Sequence, residues 1–332
     1  MQAKLVEWYK KNKRELSFRE SRDPYKIWIS EVMLQQTQVA TMLPYFDKFI
    51  QVYPNPTKLA EATLEEVLYH VQGLGYYRRF RFMHQAAKVI SETYGGHFPK
   101  TYKDVLSLPG VGRYTAGAIM SIAYDEPYSA VDGNVIRVLS RFSMTDGDMR
   151  KPSQVNKIES LNTGLIEKTE PHYYTQALME LGATVCKVTN PLCVTCPLKD
   201  LCKANLEGVQ TSYPQFSSLK EKVTHHYVTF VLKNKAGDYI LRKRSESLLE
   251  GFYEYPQVLS ESLNYALDFF VDHHIKLANV VQRKQVKHVF THQIWEMDVY
   301  EGIVTEGMMD DWHVIKHHEE VPMATAHKKI GL

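Results

Sequence analysis

The chain has 332 residues, of which 44% are hydrophobic and 23% charged. That balance excludes disordered, collagen-like and coiled-coil chains, and the length suits two domains. Forty Lys and Arg against 38 Asp and Glu leave a formal charge of +2, which alone argues against a strongly basic nucleic-acid binder, although a sum hides local patches. Four cysteines are too few for a disulfide scaffold of this size. The N-terminal MQAKLVEWYKKNKREL is charged throughout and lacks a signal-peptide apolar run. No stretch approaches about 18 consecutive apolar residues, and the C-terminal AHKKIGL carries no lipidation pattern. The expectation is a soluble, intracellular, cytoplasmic monomer with no membrane segment.

In chain order, LVEWYKKN, YKIWISEVMLQQTQVATML, TLEEVLYHV, RRFRFMHQAAKVISETY and YTAGAIMSIAY carry apolar residues at i, i+3, i+4 spacing. Pro44, Pro54, Pro56, Gly73–Gly75, Gly95–Gly96 and Pro109–Gly112 read as breakers between them. Residues 1–204 therefore predict an all-α domain. The polar stretch 205–222 has no sustained period and reads as a linker. From 223 to 332 the pattern changes to α+β. HHYVTFVLKN, a KAGD turn and YILRKR predict a β-hairpin, NYALDFFVDHHI a helix, and QVKHVFTHQIWEMDVYEGIV further strand. Charge divides unevenly: residues 1–217 hold 26 basic and 22 acidic side chains, and residues 218–332 hold 14 and 16. The pairs His225–His226, His273–His274 and His317–His318 match no metal spacing and read as surface or strand residues.

The cysteines stand as C-x6-C-x2-C-x5-C at Cys186, Cys193, Cys196 and Cys202. Four thiolates in so short a loop select zinc or an iron–sulfur cluster. The outer gaps are too long for two zinc knuckles, which favours a [4Fe–4S] cluster with zinc as the alternative. Closing a helical domain, this spacing resembles the endonuclease III family of DNA glycosylases. There the cluster is structural and shapes a loop that meets the DNA backbone, and Lys187, Lys199 and Lys203 suit such a loop.

KDVLSLPGVGRYTAGAIM reads as helix, tight turn, helix, with Gly110 and Gly112 permitting the turn. Backbone N–H groups at the start of the second helix can donate to a phosphate oxygen without a basic side chain. LPGVGRYTA followed by VDGN resembles the helix–hairpin–helix glycosylase superfamily, whose catalytic aspartate falls at Asp132. By residue chemistry alone, Asp132 also reads as the N-cap of the helix VIRVLSRF. Bifunctional members carry a lysine after Arg113 that forms a Schiff base. Tyr114 stands there, which predicts base excision without efficient strand cleavage.

Ile29-Ser30-Glu31-Val32-Met33-Leu34-Gln35-Gln36-Thr37 closely resembles the signature of the MutY-type adenine DNA glycosylases. The resemblance implies Glu31 as the catalytic acid, Asp132 as the sugar-side carboxylate, and Tyr114 and Asn134 as residues holding the geometry. It implies Gln36 as a contact to the unpaired base region, Tyr76 in Gly73-Leu74-Gly75-Tyr76-Tyr77-Arg78 as a duplex wedge, and Glu180 as a boundary of the adenine pocket. Leu16-Ser17-Phe18-Arg19 departs from the family's Leu-Pro-Trp-Arg and loses an indole N–H. Arg78, Arg79 and Arg81 are expected to add DNA affinity.

Gly251-Phe252-Tyr253-Glu254-Tyr255-Pro256 resembles the GLWEFP stretch of Nudix folds. The following NYALDFFVDHHIKL lacks the magnesium-binding glutamates of active Nudix hydrolases, so pyrophosphohydrolase activity is not expected. Phe290-Thr291-His292 resembles the family's Phe-Ser-His loop that reads 8-oxoguanine. The full expectation is a multi-domain chain: an all-α helix–hairpin–helix glycosylase domain with a [4Fe–4S] loop, plus an α+β Nudix-like domain. Its implied partner is double-stranded DNA containing adenine opposite 8-oxoguanine or guanine. An endonuclease III-like glycosylase/lyase is opposed by Tyr114, and a non-catalytic iron–sulfur protein by Glu31 and Asp132 occurring together.

Overall fold

The computed structural model describes residues 1–218 and 221–331. The chain folds as two compact units, Met1–Glu61 with Phe82–Ser218, and Ala62–Arg81 with Leu219–Leu332.

The first unit is helical. Its helices are α1 (Gln2–Asn12), α2 (Pro24–Leu34), α3 (Val39–Val52) and α4 (Pro56–Glu61). After α5 (Leu64–His70), which belongs to the second unit, α6 (Arg78–Thr93) leads back into the first. Then come α7 (Tyr102–Ser107), α8 (Arg113–Tyr124), α9 (Gly133–Ser143), α10 (Pro152–Ile166), α11 (Pro171–Thr184) and α12 (Lys203–Leu206). The start of α2 is set by Asp23, whose side chain accepts the Tyr25 N–H at 2.9 Å, and by Pro24 in the first turn. Beyond that turn α2 is apolar nearly all round and buried from Ile27 to Met33, as expected of a central helix. It packs against α3 and α8, while α11 packs against α1, α8 and α9.

Three expectations change here. The segment YKIWISEVMLQQTQVATML is not one helix: the chain turns at Gln36, with φ +56°, between α2 and α3. Pro44 does not break a helix but lies inside α3, where it removes one backbone hydrogen bond without ending the 14-residue run. The 205–222 stretch is not a free linker as far as Ser217. The buried Arg141 donates to the Tyr213 carbonyl at 2.9 Å, Tyr213 donates to Asp146 at 2.8 Å, and Met149 N–H donates to the Gln215 carbonyl at 2.9 Å. A polar segment without periodicity is here ordered by tertiary hydrogen bonds.

Among the described residues the second unit holds a mixed sheet of seven strands: β1 (Val223–Lys233), β2 (Tyr239–Lys243), β3 (Tyr253–Glu254), β4 (Gln257–Leu259), β5 (Lys276–Val289), β6 (Gln293–Glu306) and β7 (Trp312–Ile315). Its main order is β3-β2-β1-β6-β5, with β4 beside β1 and β7 beside β2. The β1–β2 hairpin pairs Leu232 with Ile240 across the expected turn, and β1 also runs parallel to β6. Period-two alternation splits the core. Val228, Phe230 and Leu232 face one cluster with Phe270 of α13 (Leu263–Asp272). Val231, Trp295, Met297 and Val299 face the other, with Ala326 of α14 (Thr325–Lys328). The sequence reading keeps 62–81 in the helical domain; in the structure this segment groups with the sheet unit. No helix among the described residues is long and apolar enough to cross a membrane.

Phe230 is fully buried, with its ring centroid 4.9 Å from that of Phe270. Phe230→Ala is expected to destabilise the sheet unit by about 3–5 kcal/mol, read as a lower urea midpoint for that unit's tryptophan signal.

Candidate active site

Glu31 sits mid-helix in α2, 5% exposed. An isolated carboxylate there would be costly. Tyr114, in the first turn of α8, donates its hydroxyl to Glu31 Oε2. Burial, with a smaller push from the Asp132 charge, raises the Glu31 pKa to about 7 against the opposing Tyr114 hydrogen bond and the Arg19 charge. Burial and the Glu31 and Asp132 charges push the Tyr114 hydroxyl well above its ordinary range, so it remains a donor.

Asp132 is the N-cap of α9 and accepts the Val135 N–H at 2.7 Å. Its other oxygen accepts the Asn134 side-chain amide at 2.7 Å. Burial raises its pKa, while these hydrogen bonds and Arg137 work the other way. Both sequence readings of Asp132, cap and site carboxylate, are therefore compatible with one geometry. Asn134 is fixed in turn by Arg137, whose Nη2 donates to its Oδ1 at 2.8 Å and to the Gly182 carbonyl at 2.8 Å. Gly182 has no side chain for a reason of space: a Cβ there would lie 2.5 Å from Asn134 Cβ.

Arg137 also donates to the Cys186 carbonyl at 2.7 Å. One helical turn on, Arg141 donates to Cys186 Sγ at 3.4 Å and to the Lys187 and Val188 carbonyls at 2.6 and 3.0 Å. Cys186, Cys193, Cys196 and Cys202 line one pocket together with Arg141 and Gln210, and all four thiols are free. Burial and the three neighbouring sulfurs push the Cys196 thiol up to about 11. Among the described residues, no group of three or more His, Cys, Asp or Glu is arranged to hold a metal ion.

Glu180 of α11 is fully buried and already occupied. It accepts from Arg14 Nε at 2.7 Å and Nη2 at 2.9 Å and from Arg19 Nη1 at 2.7 Å. Burial acts to raise its pKa, but the two guanidinium groups outweigh it and hold the carboxyl below its ordinary value. Its visible work is to fix Arg19, whose charge reaches Glu31 and Tyr114. Phe18 is buried edge-on against Phe46, with centroids 6.0 Å apart.

The α7–α8 hairpin has the expected form. Gly110, at φ +73°, is in the left-handed region that favours glycine, and Gly112 is the exposed N-cap of α8. Gln36 is exposed beyond the end of α2. Lys187, Lys199 and Lys203 are exposed around the cysteine loop.

In the second unit, Tyr76 is 54% exposed at φ +49°. The expectation for the arginines beside it is corrected. Arg79 is buried and donates to the Leu74 and Gly75 carbonyls at 3.2 and 3.3 Å, and Arg81 pairs with Glu250 at 2.6 Å. Of the three, only Arg78 is exposed. Phe290, Thr291 and His292 form the turn between β5 and β6. Thr291 and His292 are exposed at its tip, while the Phe290 ring meets Trp295 edge-on at 4.9 Å. Glu254 of the Nudix-like stretch is buried between Arg242 at 2.8 Å and Arg244 at 2.5 Å, a structural ion-pair node.

Comparison with known proteins fits this geometry. Residues 29–162 match the family of helix–hairpin–helix superfamily base excision DNA repair proteins, and residues 228–331 match the NUDIX domain. A solved thermostable thymine-DNA glycosylase is 26% identical, with a TM-score of 0.56, over 62% of this chain and 94% of that one. An endonuclease III–DNA complex matches at 25% identity and a TM-score of 0.50, over 62% and 95%. The mouse adenine DNA glycosylase is 44% identical over 61% of this chain but only 41% of its own length. The adenine DNA glycosylase of Buchnera aphidicola subsp. Baizongia pistaciae is 30% identical over 98% of this chain and 94% of its own. The chain belongs to the adenine DNA glycosylase family. Within that family it carries the helical and NUDIX-like parts together, and a second Buchnera relative from Acyrthosiphon pisum is 36% identical over 69% of its length.

Sequence reasoning missed Arg137 and Arg141. The available signal was their i, i+4 spacing in VIRVLSRF, which puts both on one face of α9. The raised Glu31 pKa yields a stability prediction. An acid whose folded pKa exceeds its unfolded value costs stability progressively as pH rises from about 4.5 to about 7, and the whole cost stands above that. Glu31→Gln is therefore expected to stabilise the protein at pH 8, by up to about 3 kcal/mol, and to change little at pH 4.5, in paired denaturant melts.

Proposed function

We propose that this protein is a monofunctional base excision enzyme that hydrolyses the N-glycosidic bond of adenine opposite 8-oxoguanine or guanine in duplex DNA. The observation that carries the reading is the pair of carboxyls in unlike surroundings: Glu31 buried on apolar α2, and Asp132 hydrogen-bonded at the α9 cap. Adenine is a poor leaving group as an anion and a good one once protonated at N7, and its departure leaves positive charge on the sugar. A carboxyl kept protonated near neutrality suits the first need, and an ionised carboxylate the second. Glu31 donates the proton to N7 and then, ionised, takes one from the attacking water. Asp132, held by Asn134 and Val135, faces the developing cation. Tyr114 keeps its hydrogen bond to Glu31 and cannot form a Schiff base, so the abasic strand stays intact. The adenine must leave the stack to reach these groups. The Gly110–Gly112 hairpin offers backbone N–H groups to a phosphate, Gln36 and Tyr76 serve the opened duplex, and Thr291 and His292 read the opposite base.

Cys186, Cys193, Cys196 and Cys202 are proposed to hold a [4Fe–4S] cluster. The fit rests on their shared pocket and on the electrostatics of Cys196, whose ionisation burial and three sulfurs oppose. A positive cluster core would offset that opposition. When bound, the cluster supplies a structural cross-link between the ends of the 186–202 loop. Purified protein should be brown and hold four iron and four sulfide per chain; stoichiometric zinc would replace the assignment.

The activity test uses duplexes carrying A:8-oxoguanine, A:G or A:T, followed by alkali. Cleavage of the adenine strand of the first two, only after alkali, is expected. Breakage without alkali would favour a lyase, and no cleavage would end the reading. Single-turnover rates should fall as pH rises through about 7, where Glu31 loses its proton. Thr291→Ala with His292→Ala should narrow the ratio of A:8-oxoguanine to A:G rates.

A further inference from the structure

The Gly73–Tyr77 loop displays an exposed aromatic ring on strained backbone. Tyr76 is in the left-handed region, and Gly73 and Gly75 also have positive φ, +109° and +70°. Internal bonds account for part of its order: Tyr77 Oη accepts the Gly73 N–H at 2.9 Å, and buried Arg79 gathers the Leu74 and Gly75 carbonyls. Further support comes from residues far along the chain but in the same unit. The Tyr77 ring lies against Phe252, with centroids 4.1 Å apart and planes at 44°. Tyr77 is 7% exposed and Phe252 fully buried. Gln72 Oε1 accepts the Met323 backbone N–H at 3.2 Å. Glu65 of α5 pairs with Lys243 of β2, and Arg81 pairs with Glu250 and also donates to its carbonyl at 3.2 Å. Gly251, at φ +84°, is closely approached by Leu68, which would lie 3.0 Å from an added Cβ. These contacts lie before, within and after the loop, on both of its flanks.

We propose that the sheet unit is the mount of the wedge: Phe252, with the Met323 amide, Lys243 and Glu250, holds residues 62–81 so that Tyr76 is presented in one fixed orientation. The inference rests on the reading of Tyr76 as the duplex wedge. A ring that pries bases apart is pushed back by the duplex it enters. A loop ordered only by its own few bonds would yield, whereas one anchored at Gln72 and Tyr77 transmits the load to the sheet. Phe252 and Gln72 are thus positioning residues, acting through Tyr76 and touching no base. The Nudix-like stretch that begins at Gly251 then has a use in this chain other than hydrolysis: it shapes a surface for Tyr77.

The test compares full-length protein with Phe252→Leu, Gln72→Met and Tyr76→Ala. The readout is the fluorescence rise of 2-aminopurine placed beside the mispair, which reports unstacking. Single-turnover excision is measured on A:8-oxoguanine and on an adenine opposite a missing base, where no partner need be displaced. Phe252→Leu and Gln72→Met should lose at least about fivefold of the unstacking signal and of the A:8-oxoguanine rate while keeping the wild-type rate on adenine opposite a missing base, and Tyr76→Ala should lose at least as much of the unstacking signal. If Phe252→Leu and Gln72→Met respond like wild type while Tyr76→Ala does not, the mount is refuted and the wedge stands. If Tyr76→Ala also responds like wild type, the wedge reading fails and takes the inference with it. Equal losses on both substrates with a lowered melting temperature would reduce the contacts to general stability and overturn the proposal.

Discussion

The site depends on the burial of one carboxyl. Glu31 lies among Ile29, Val32 and Met33, all buried on α2, with α8 packed alongside. Water cannot stabilise its charge there, and the Tyr114 hydroxyl aimed at it offsets only part of that loss. Everything that keeps α2 and α8 together therefore also sets the proton affinity of Glu31. The capping of α2 by Asp23 and the pairing of Glu180 with Arg14 and Arg19 serve the same environment from different sides. Arg19 adds a smaller push in the same direction as Tyr114, so the pKa is a balance between a dry helix face on one side and the Tyr114 hydrogen bond and a restrained cation on the other.

Burial raises the Asp132 pKa as well, but here hydrogen bonds oppose it. Asp132 is held by these bonds, and the bonds continue. Asn134 meets Asp132, Arg137 meets Asn134, and the same guanidinium meets the carbonyl of Cys186. Arg141 repeats the connection one turn later, with its guanidinium on the Cys186 sulfur and on the next two carbonyls. The cysteine loop and Asp132 are consequently parts of one bonded framework on α9. A disturbance of the loop has a short, nameable route to Asp132.

Much of this was legible in the sequence because it is local. The α7–α8 hairpin, the α9 cap and the β1–β2 turn are each written in fewer than ten residues, as glycine placement, a capping aspartate or alternating β-branched residues. The partners of buried charge were not legible. Nothing near Glu180 in sequence indicates that Arg14, 166 positions earlier, fills its oxygens. Arg79 reads as a DNA-facing cation among basic neighbours, and only tertiary packing shows it turned inward to carbonyls. Gln36 lies at a helix break that apolar periodicity alone passes over, because the apolar spacing resumes in α3. The ordered end of the 205–222 stretch failed for the same reason: its hydrogen bonds go to Asp146, Asp148 and Met149, far from it in sequence.

The grouping of residues 62–81 with the C-terminal sheet has a kinetic meaning. Glu65 and Lys243 are 178 positions apart, and Gln72 and Met323 are 251 apart. A ribosome adding about 5–20 residues per second needs roughly ten seconds or more to cover such a gap. During that interval α5 and the loop after it are exposed without their sheet partners, and Leu68 and Tyr77 have not acquired their neighbours across the chain. Contacts of such long range also slow folding, because loop closure must precede their gain. The segment that carries the exposed tyrosine is thus expected to be among the last parts of the nascent chain to become ordered, which makes it a natural point of engagement for chaperones or proteases during synthesis.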